Sequence, residues 1–196
     1  MTFIKQLARP LLVMSCLVFF VFIIRSPVFT WLTPPTHIDN KYYLDIDDDE
    51  FTEYGLVTKV SDGDTITINE DREVRFLSMD TPELSHPDLH IREECYGKDA
   101  KARVEQLLLN KYVFLLKDKE DTDKYKRLLR FIFLPDRANP SQKLFVNGYL
   151  IGEGFARAYI FQQDEKYKDY ITALQQTAIN EKKGLWGKCD REKFRW

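Results

Sequence analysis

Residues 51–196 predict a mainly β fold of the α+β class: a five-stranded barrel with three helices packed outside it. Two observations carry that prediction. Five short runs rich in β-branched and aromatic residues, YGLVTKV, TITINE, EVRFLSM, YVFLLKD and RLLRFIFL, follow one another along the chain, with the turn signals SDGD and EDR between the first three. Stretches of helical spacing intervene without regular alternation with the strands, which argues against a doubly wound parallel sheet. At 196 residues the chain has room for one globular core and an appendage.

The appendage comes first. Leu11 to Ile24 is a 14-residue apolar run containing one serine, Ser15, and preceded by Lys5 and Arg9, the pattern of an export signal. No small-x-small cleavage site follows, and Val28, Phe29, Trp31 and Leu32 extend the run past Arg25. Residues 1–25 therefore read as a hydrophobic helix acting as a signal anchor, or as a signal peptide if cleaved, with the remainder exported. Tethered, the protein has a membrane partner through this segment; cleaved, it is secreted. Residues 26–50, with Pro27, Pro34, Pro35 and the acidic stretch LDIDDDE, read as a flexible acidic linker.

The five strands then run from Tyr54 to Leu134. A helix is expected over Gly97–Asn110, with Ala100, Val104, Leu107 and Leu108 on one side, and a short one near Val146–Gly152. A third is expected over Glu165–Lys183, where Tyr170, Ala173, Leu174, Thr177 and Ala178 recur at helical spacing and Gly184 stands as the left-handed cap.

Charge narrows the function. Setting aside the first 29 residues leaves 26 bases against 31 acids, a net charge of −5. A protein that held a polyanion mainly by counterion release would carry a basic excess, so phosphate chemistry here must rest on a few placed cations or a metal.

The stretch RFLSMDTPE, Arg75 to Glu83, starts as a buried strand and ends in polar residues. Strand alternation puts Arg75 on the face of Leu77 and Met79, and in RLLRFIF it puts Arg127 with Leu129, Phe131 and Phe133. A guanidinium among apolar neighbours needs a carboxylate or an anionic ligand. Two such arginines suggest a phosphate clamp, and surface arginines paired with local acids are the alternative. Asp64, in the turn SDGD, and Asp80, ending a strand run, are hard oxygen ligands suited to Ca²⁺ or Mg²⁺. Glu83, held by Pro82, would stand beside such an ion with its carboxylate available as a general base on water.

Taken together, DGDT with Asp64, R-F-L-S-M-D-T-P-E, D-K-Y-x-R from Asp123 to Arg127, and G-L-W from Gly184 to Trp186 resemble the staphylococcal nuclease (thermonuclease) family over Tyr54 to Cys189, in the family's order. The resemblance implies an OB-fold barrel with three helices and Ca²⁺-dependent hydrolysis of DNA and RNA phosphodiesters with low sequence specificity. By position it implies Asp64, Asp80 and the Thr81 carbonyl as calcium ligands, and Glu83 as the residue that orients or deprotonates water. Arg75 and Arg127 would bind the phosphate and neutralise its five-coordinate transition state. Lys124 and Tyr125 match the substrate-side loop, and Tyr159 in FARAY would stack on a base or bond a phosphate. One departure stands out: Lys126 occupies the glycine position of the usual D-x-Y-G-R.

The alternative function is a catalytically inactive OB-fold module at the cell surface that binds nucleic acid or protein. A monomer is expected. Cys95 and Cys189, flanking the first long helix and the last, are expected to form a disulfide if the domain is exported and their Cα atoms lie within about 7 Å.

Overall fold

The computed structural model describes residues 38–85, 92–160 and 166–190. The hydrophobic helix expected over residues 1–25 lies outside them, and no helix among the described residues is long and apolar enough to cross a membrane. Among the described residues nine strands form: β1 Tyr43–Asp45, β2 Glu53–Val60, β3 Thr65–Ile68, β4 Arg72–Phe76, β5 Met79–Asp80, β6 Tyr112–Leu116, β7 Leu128–Pro135, β8 Gln142–Phe145 and β9 Arg157–Ala158. Four α-helices of the described residues accompany them: α1 Gly97–Leu108, α2 Val146–Gly152, α3 Lys168–Asn180 and the single turn α4 Leu185–Lys188.

Five of the strands close on themselves. β2 pairs with β3 and with β6, β3 with β4, and β7 joins β4 in parallel and β6 antiparallel. This is the OB-fold barrel. The eight-residue β2 serves both neighbours because its register shifts between Val57 and Lys59, and such an irregularity bends a strand around a barrel. Val57, Ile66, Ile68, Val74, Phe76, Leu115, Phe131 and Phe133 fill the interior. β8 and β1 extend the sheet beyond β7, and β5 with β9 forms a separate ribbon.

Several expectations need correction. The segment read as a linker is structured from Asp39, where the compact unit begins: Tyr42 is 1% exposed and β1 pairs with β8. The apolar partners of that strand lie about a hundred residues away, so its acidic neighbours dominated the local reading. Arg75 does not share a face with Leu77 and Met79. β4 ends at Phe76 and Ser78 turns the chain with φ +56°, which breaks the alternation. Arg127 precedes β7, which is buried along almost its whole length, so alternation does not assign its faces. The buried face of α3 is Ile171, Leu174 and Ala178, while Ala173 and Thr177 are exposed. Its left-handed end residue is Lys182, with φ +52°.

α2 is wholly buried, and it carries a polar residue with a specific task. The Asn147 side chain donates from Nδ2 to the Leu77 carbonyl (2.9 Å) and accepts at Oδ1 from the Ile132 N–H (2.9 Å). It thereby fixes the turn that swings Met79 and Asp80 out of the barrel wall.

Candidate active site

The site grows from the turn before β3. Asp62 Oδ1 accepts from the Asp64 N–H (3.1 Å) and tightens that turn. Gly63 is required by close approach, since a Cβ there would lie 2.7 Å from Thr81 Cγ2. Asp64 consequently packs against Thr81, whose N–H and hydroxyl donate to Oδ2 at 3.0 and 3.1 Å. The Thr65 hydroxyl donates to Oδ1 (3.2 Å), and Arg75 Nη1 lies 2.8 Å from Oδ2. Even so, burial pushes the Asp64 carboxyl up to about 7 against the pull of Arg75, and neighbouring Asp62 adds to the rise.

Arg75 joins the two expected metal-ligating carboxylates. Its Nη2 lies 2.9 Å from Asp80 Oδ1, and its Nη1 also donates to the Met79 carbonyl (3.1 Å). Asp80 Oδ2 accepts from Arg157 Nε (3.0 Å), so this acid is flanked by guanidinium groups from β4 and β9. Of the two readings of Arg75, the structure shows the pairing with carboxylates, those of Asp64 and Asp80.

Arg127 arrives from the loop before β7. Asp123 Oδ1 accepts from the backbone N–H groups of Tyr125 and Arg127 (2.9 Å each), and Oδ2 accepts from Arg127 Nε (2.8 Å). Burial opposes ionisation of Asp123, yet these hydrogen bonds hold its carboxyl below the ordinary range. Arg127 Nη1 then donates to the Thr65 hydroxyl (3.3 Å), which connects it through Thr65 to Asp64. Lys126 has φ +66°, so the departure from glycine falls on a residue that does adopt the left-handed conformation.

Glu83 is exposed beyond Pro82, and among the described residues its carboxylate receives no side-chain hydrogen bond. Partial desolvation raises its carboxyl, helped by Asp62, Asp80 and Glu94 and opposed by Arg75. Glu83 stands two residues after Thr81, whose N–H and hydroxyl bond Asp64. In the Arg127 loop, Tyr125 is 68% exposed, with Lys124 Nζ 4.9 Å and Arg127 Cζ 5.5 Å from its ring centroid. Tyr159 is half-exposed just after β9, where its N–H donates to the Ser78 carbonyl (3.1 Å).

The structure thus connects Asp64, Arg75, Asp80, Thr81 and Arg127 by hydrogen bonds and ion pairs, with Glu83 alongside. Sequence reasoning missed Arg157, and it gave no role to Thr65, Asp62 or Asp123. Arg157 sits inside the quoted FARAY, flanked by alanines, and its charge in an apolar run was the available signal. Separately, Cys95 and Cys189 are bonded, with Cα atoms 5.9 Å apart.

The donor set suits a hard cation. No group of three or more His, Cys, Asp or Glu side chains poised for a metal occurs among the described residues. Two carboxylates do converge on one guanidinium, and one of them is so buried that its negative charge is disfavoured without a further cation. Carboxylate oxygens of this kind are hard donors, suited to a hard cation rather than a soft metal.

Fold and site define a class: a small OB barrel carrying a cluster of carboxylates and guanidinium groups at its strand ends. The comparisons name it. The family model described as "Staphylococcal nuclease homologue" matches residues 73–188. The "Thermonuclease" of Staphylococcus intermedius is 35% identical over 134 residues, 67% of this chain and 74% of that protein. The "Thermonuclease" of Staphylococcus hyicus is 34% identical over 133 residues, 66% of this chain and 73% of that protein. "Endonuclease YncB" of Bacillus subtilis is 34% identical over 132 residues, 65% of this chain and 58% of that protein. The chain belongs to the staphylococcal nuclease family.

Proposed function

We propose that this protein is a nuclease that hydrolyses phosphodiester bonds of DNA or RNA internally, with low sequence specificity and with Ca²⁺ as cofactor. The observation that carries the reading is the connected set Asp64, Arg75, Asp80 and Arg127 with Glu83 beside it, which a binding module would not need. The names of its relatives support the same activity.

Asp64, Asp80 and the Thr81 carbonyl would hold Ca²⁺. Bound there, the ion supplies Lewis acidity at a phosphate oxygen and lowers the pKa of water in its shell. Arg75 and Arg127 bind the non-bridging oxygens and neutralise the charge that grows as phosphorus becomes five-coordinate. Their donors are oriented in advance by Met79, Thr65 and Asp123, so little reorganisation accompanies the reaction. Glu83 takes a proton from the attacking water, and its raised pKa brings its basicity closer to that task. Lys124, Tyr125 and Tyr159 line the approach for the flanking nucleotides, the rings stacking on bases. We further propose that the domain is exported and tethered, or secreted, by the N-terminal segment. The disulfide supports an oxidising compartment.

Incubating the purified protein with circular single-stranded and duplex DNA and with RNA, in Ca²⁺ and in chelator, tests this reading. Cleavage in Ca²⁺ that chelator abolishes is the expected result. Binding without cleavage would establish the inactive OB module instead.

A further inference from the structure

We infer that Glu94 is a positioning residue for Glu83 and that the Cys95–Cys189 disulfide holds Glu94 in place; this rests on the reading of Glu83 as the residue that accepts the proton. Among the described residues the Glu83 carboxylate receives no side-chain hydrogen bond, so its backbone sets the point from which the side chain reaches. The Glu83 backbone is gripped from both sides by one residue: its N–H donates to Glu94 Oε2 (3.1 Å) and its carbonyl accepts from the Glu94 N–H (2.8 Å). The first bond holds the peptide before Glu83 and the second the peptide after it, so removing either frees one side of the residue.

Glu94 is fixed in turn. Its carbonyl accepts from the Gly97 N–H (3.2 Å) at the start of α1. Gly97 approaches so closely that a Cβ there would lie 2.8 Å from the Glu83 carbonyl oxygen and 2.9 Å from that of Pro82. The next residue, Cys95, is bonded across 94 positions to Cys189, whose N–H donates to the Leu185 carbonyl (3.0 Å) of α4. Leu185 and Trp186 are buried with Ala178 of α3, and Tyr96 and Cys189 pack on that cluster. A buried carboxy-terminal cluster, a disulfide packed on it through Cys189 and an acid thus form a continuous support ending at Glu83. None of these links is an expected calcium ligand, so the support should act on turnover and leave metal binding alone.

The test measures kcat, KM, calorimetric Ca²⁺ affinity and amide exchange at Glu83. It compares the parent with Glu94→Ala, Glu94→Gln, the double variant Cys95→Ser/Cys189→Ser and its combination with Glu94→Ala. Glu94→Ala should lower kcat about 10-fold or more, within the range that small misplacements produce, while KM and the calcium Kd stay within about twofold. Exchange at the Glu83 amide should quicken. Glu94→Gln keeps the acceptor oxygen and should restore most of the turnover and the slow exchange. The combined variant should be no worse than the poorer of its two parts, because both interrupt one support. Parental kcat in Glu94→Ala, no rescue by glutamine, or losses that multiply would each overturn the proposal. Should Glu83→Gln itself retain full turnover, the fault lies with the reading of Glu83. If that variant is dead and Glu94→Ala is fully active, only the role of Glu94 fails. The Glu94 variants keep the disulfide, so a folding defect in the cysteine variant does not decide the outcome.

Discussion

Arg127 depends on a bend made by a residue poorly suited to it. A non-glycine side chain in the left-handed region costs about 1 kcal/mol, and Lys126 bears this strain while Asp123 holds its neighbours on either side. Lys126→Gly should therefore be neutral or stabilise by up to about 1 kcal/mol, the glycine's greater freedom when unfolded offsetting part of the gain. Urea unfolding measures this, and kcat should not change. Arg127→Ala should lower kcat by about 10²-fold or more, the scale of removing one preorganised donor; an unchanged kcat in the folded variant would remove Arg127 from the mechanism. Asp64 offers a pH test. Its folded carboxyl sits near 7, above the unfolded value near 4, so the metal-free folded chain holds a proton that the unfolded chain has already released. This group's contribution is fully present below about pH 4 and is lost as pH rises towards 7. Ca²⁺ needs the carboxylate, so its affinity should rise over the same window and level off above it. Calcium titrations at pH 5.5, 6.5 and 7.5 read the trend, and a flat affinity would contradict it.

At the level of elements, the barrel owes its catalytic edge to a break in a strand. β4 would carry Met79 and Asp80 onward along the wall, but Ser78 turns the chain and β5 pairs with β9 instead. That pairing brings Arg157 to Asp80. Asn147 secures the turn from the buried helix α2, bridging Leu77 of one strand run and Ile132 of β7. Asn147→Ala would leave a buried carbonyl and a buried N–H unsatisfied, each costing about 1–3 kcal/mol. The expected result is a destabilisation of about 2–5 kcal/mol, read by urea unfolding. Calcium affinity should weaken too, because Asp80 loses its fixed direction, and parental affinity in the variant would show that β5 and β9 hold Asp80 without help.

Across the whole molecule, three long-range ties close the unit around its barrel. β1 covers the β8 edge, Tyr42 donates its hydroxyl to Glu153, which also pairs with Lys183, and the disulfide joins the start of α1 to the end of α4. Cys95→Ser/Cys189→Ser opens a loop with a separation of 94 residues and should lower stability by up to about 4–5 kcal/mol on chain entropy alone. A denaturation midpoint equal to the parent's would show that the remaining ties suffice. In the proposed metal site the protein ligands are two carboxylates and a carbonyl, with no strict octahedron imposed, so Mg²⁺ should support hydrolysis poorly compared with Ca²⁺ in the same assay.

The sequence by itself determined the barrel strands and the positions of α1 and α2 almost to the residue, and it singled out Asp64, Arg75, Asp80, Glu83 and Arg127 as candidates, whose roles came from the family resemblance. Those signals are local: period-two and helical patterns, a turn at SDGD, and charged residues ending apolar runs. Only the tertiary structure decided which of these side chains meet. Arg157 bonds Asp80 across 77 residues, Asn147 reaches Leu77 across 70, and Arg127 reaches Thr65 across 62. It also decided that Tyr43–Asp45 pairs as a strand with β8 while Asp48–Glu50 makes a short 3-10 turn, and that the buried face of α3 turns on Ile171. Periodicity records which residues avoid water, but closure of the barrel and docking of its helices select the partner each of them finds, since burial is non-directional whereas hydrogen bonds and ion pairs need a set geometry.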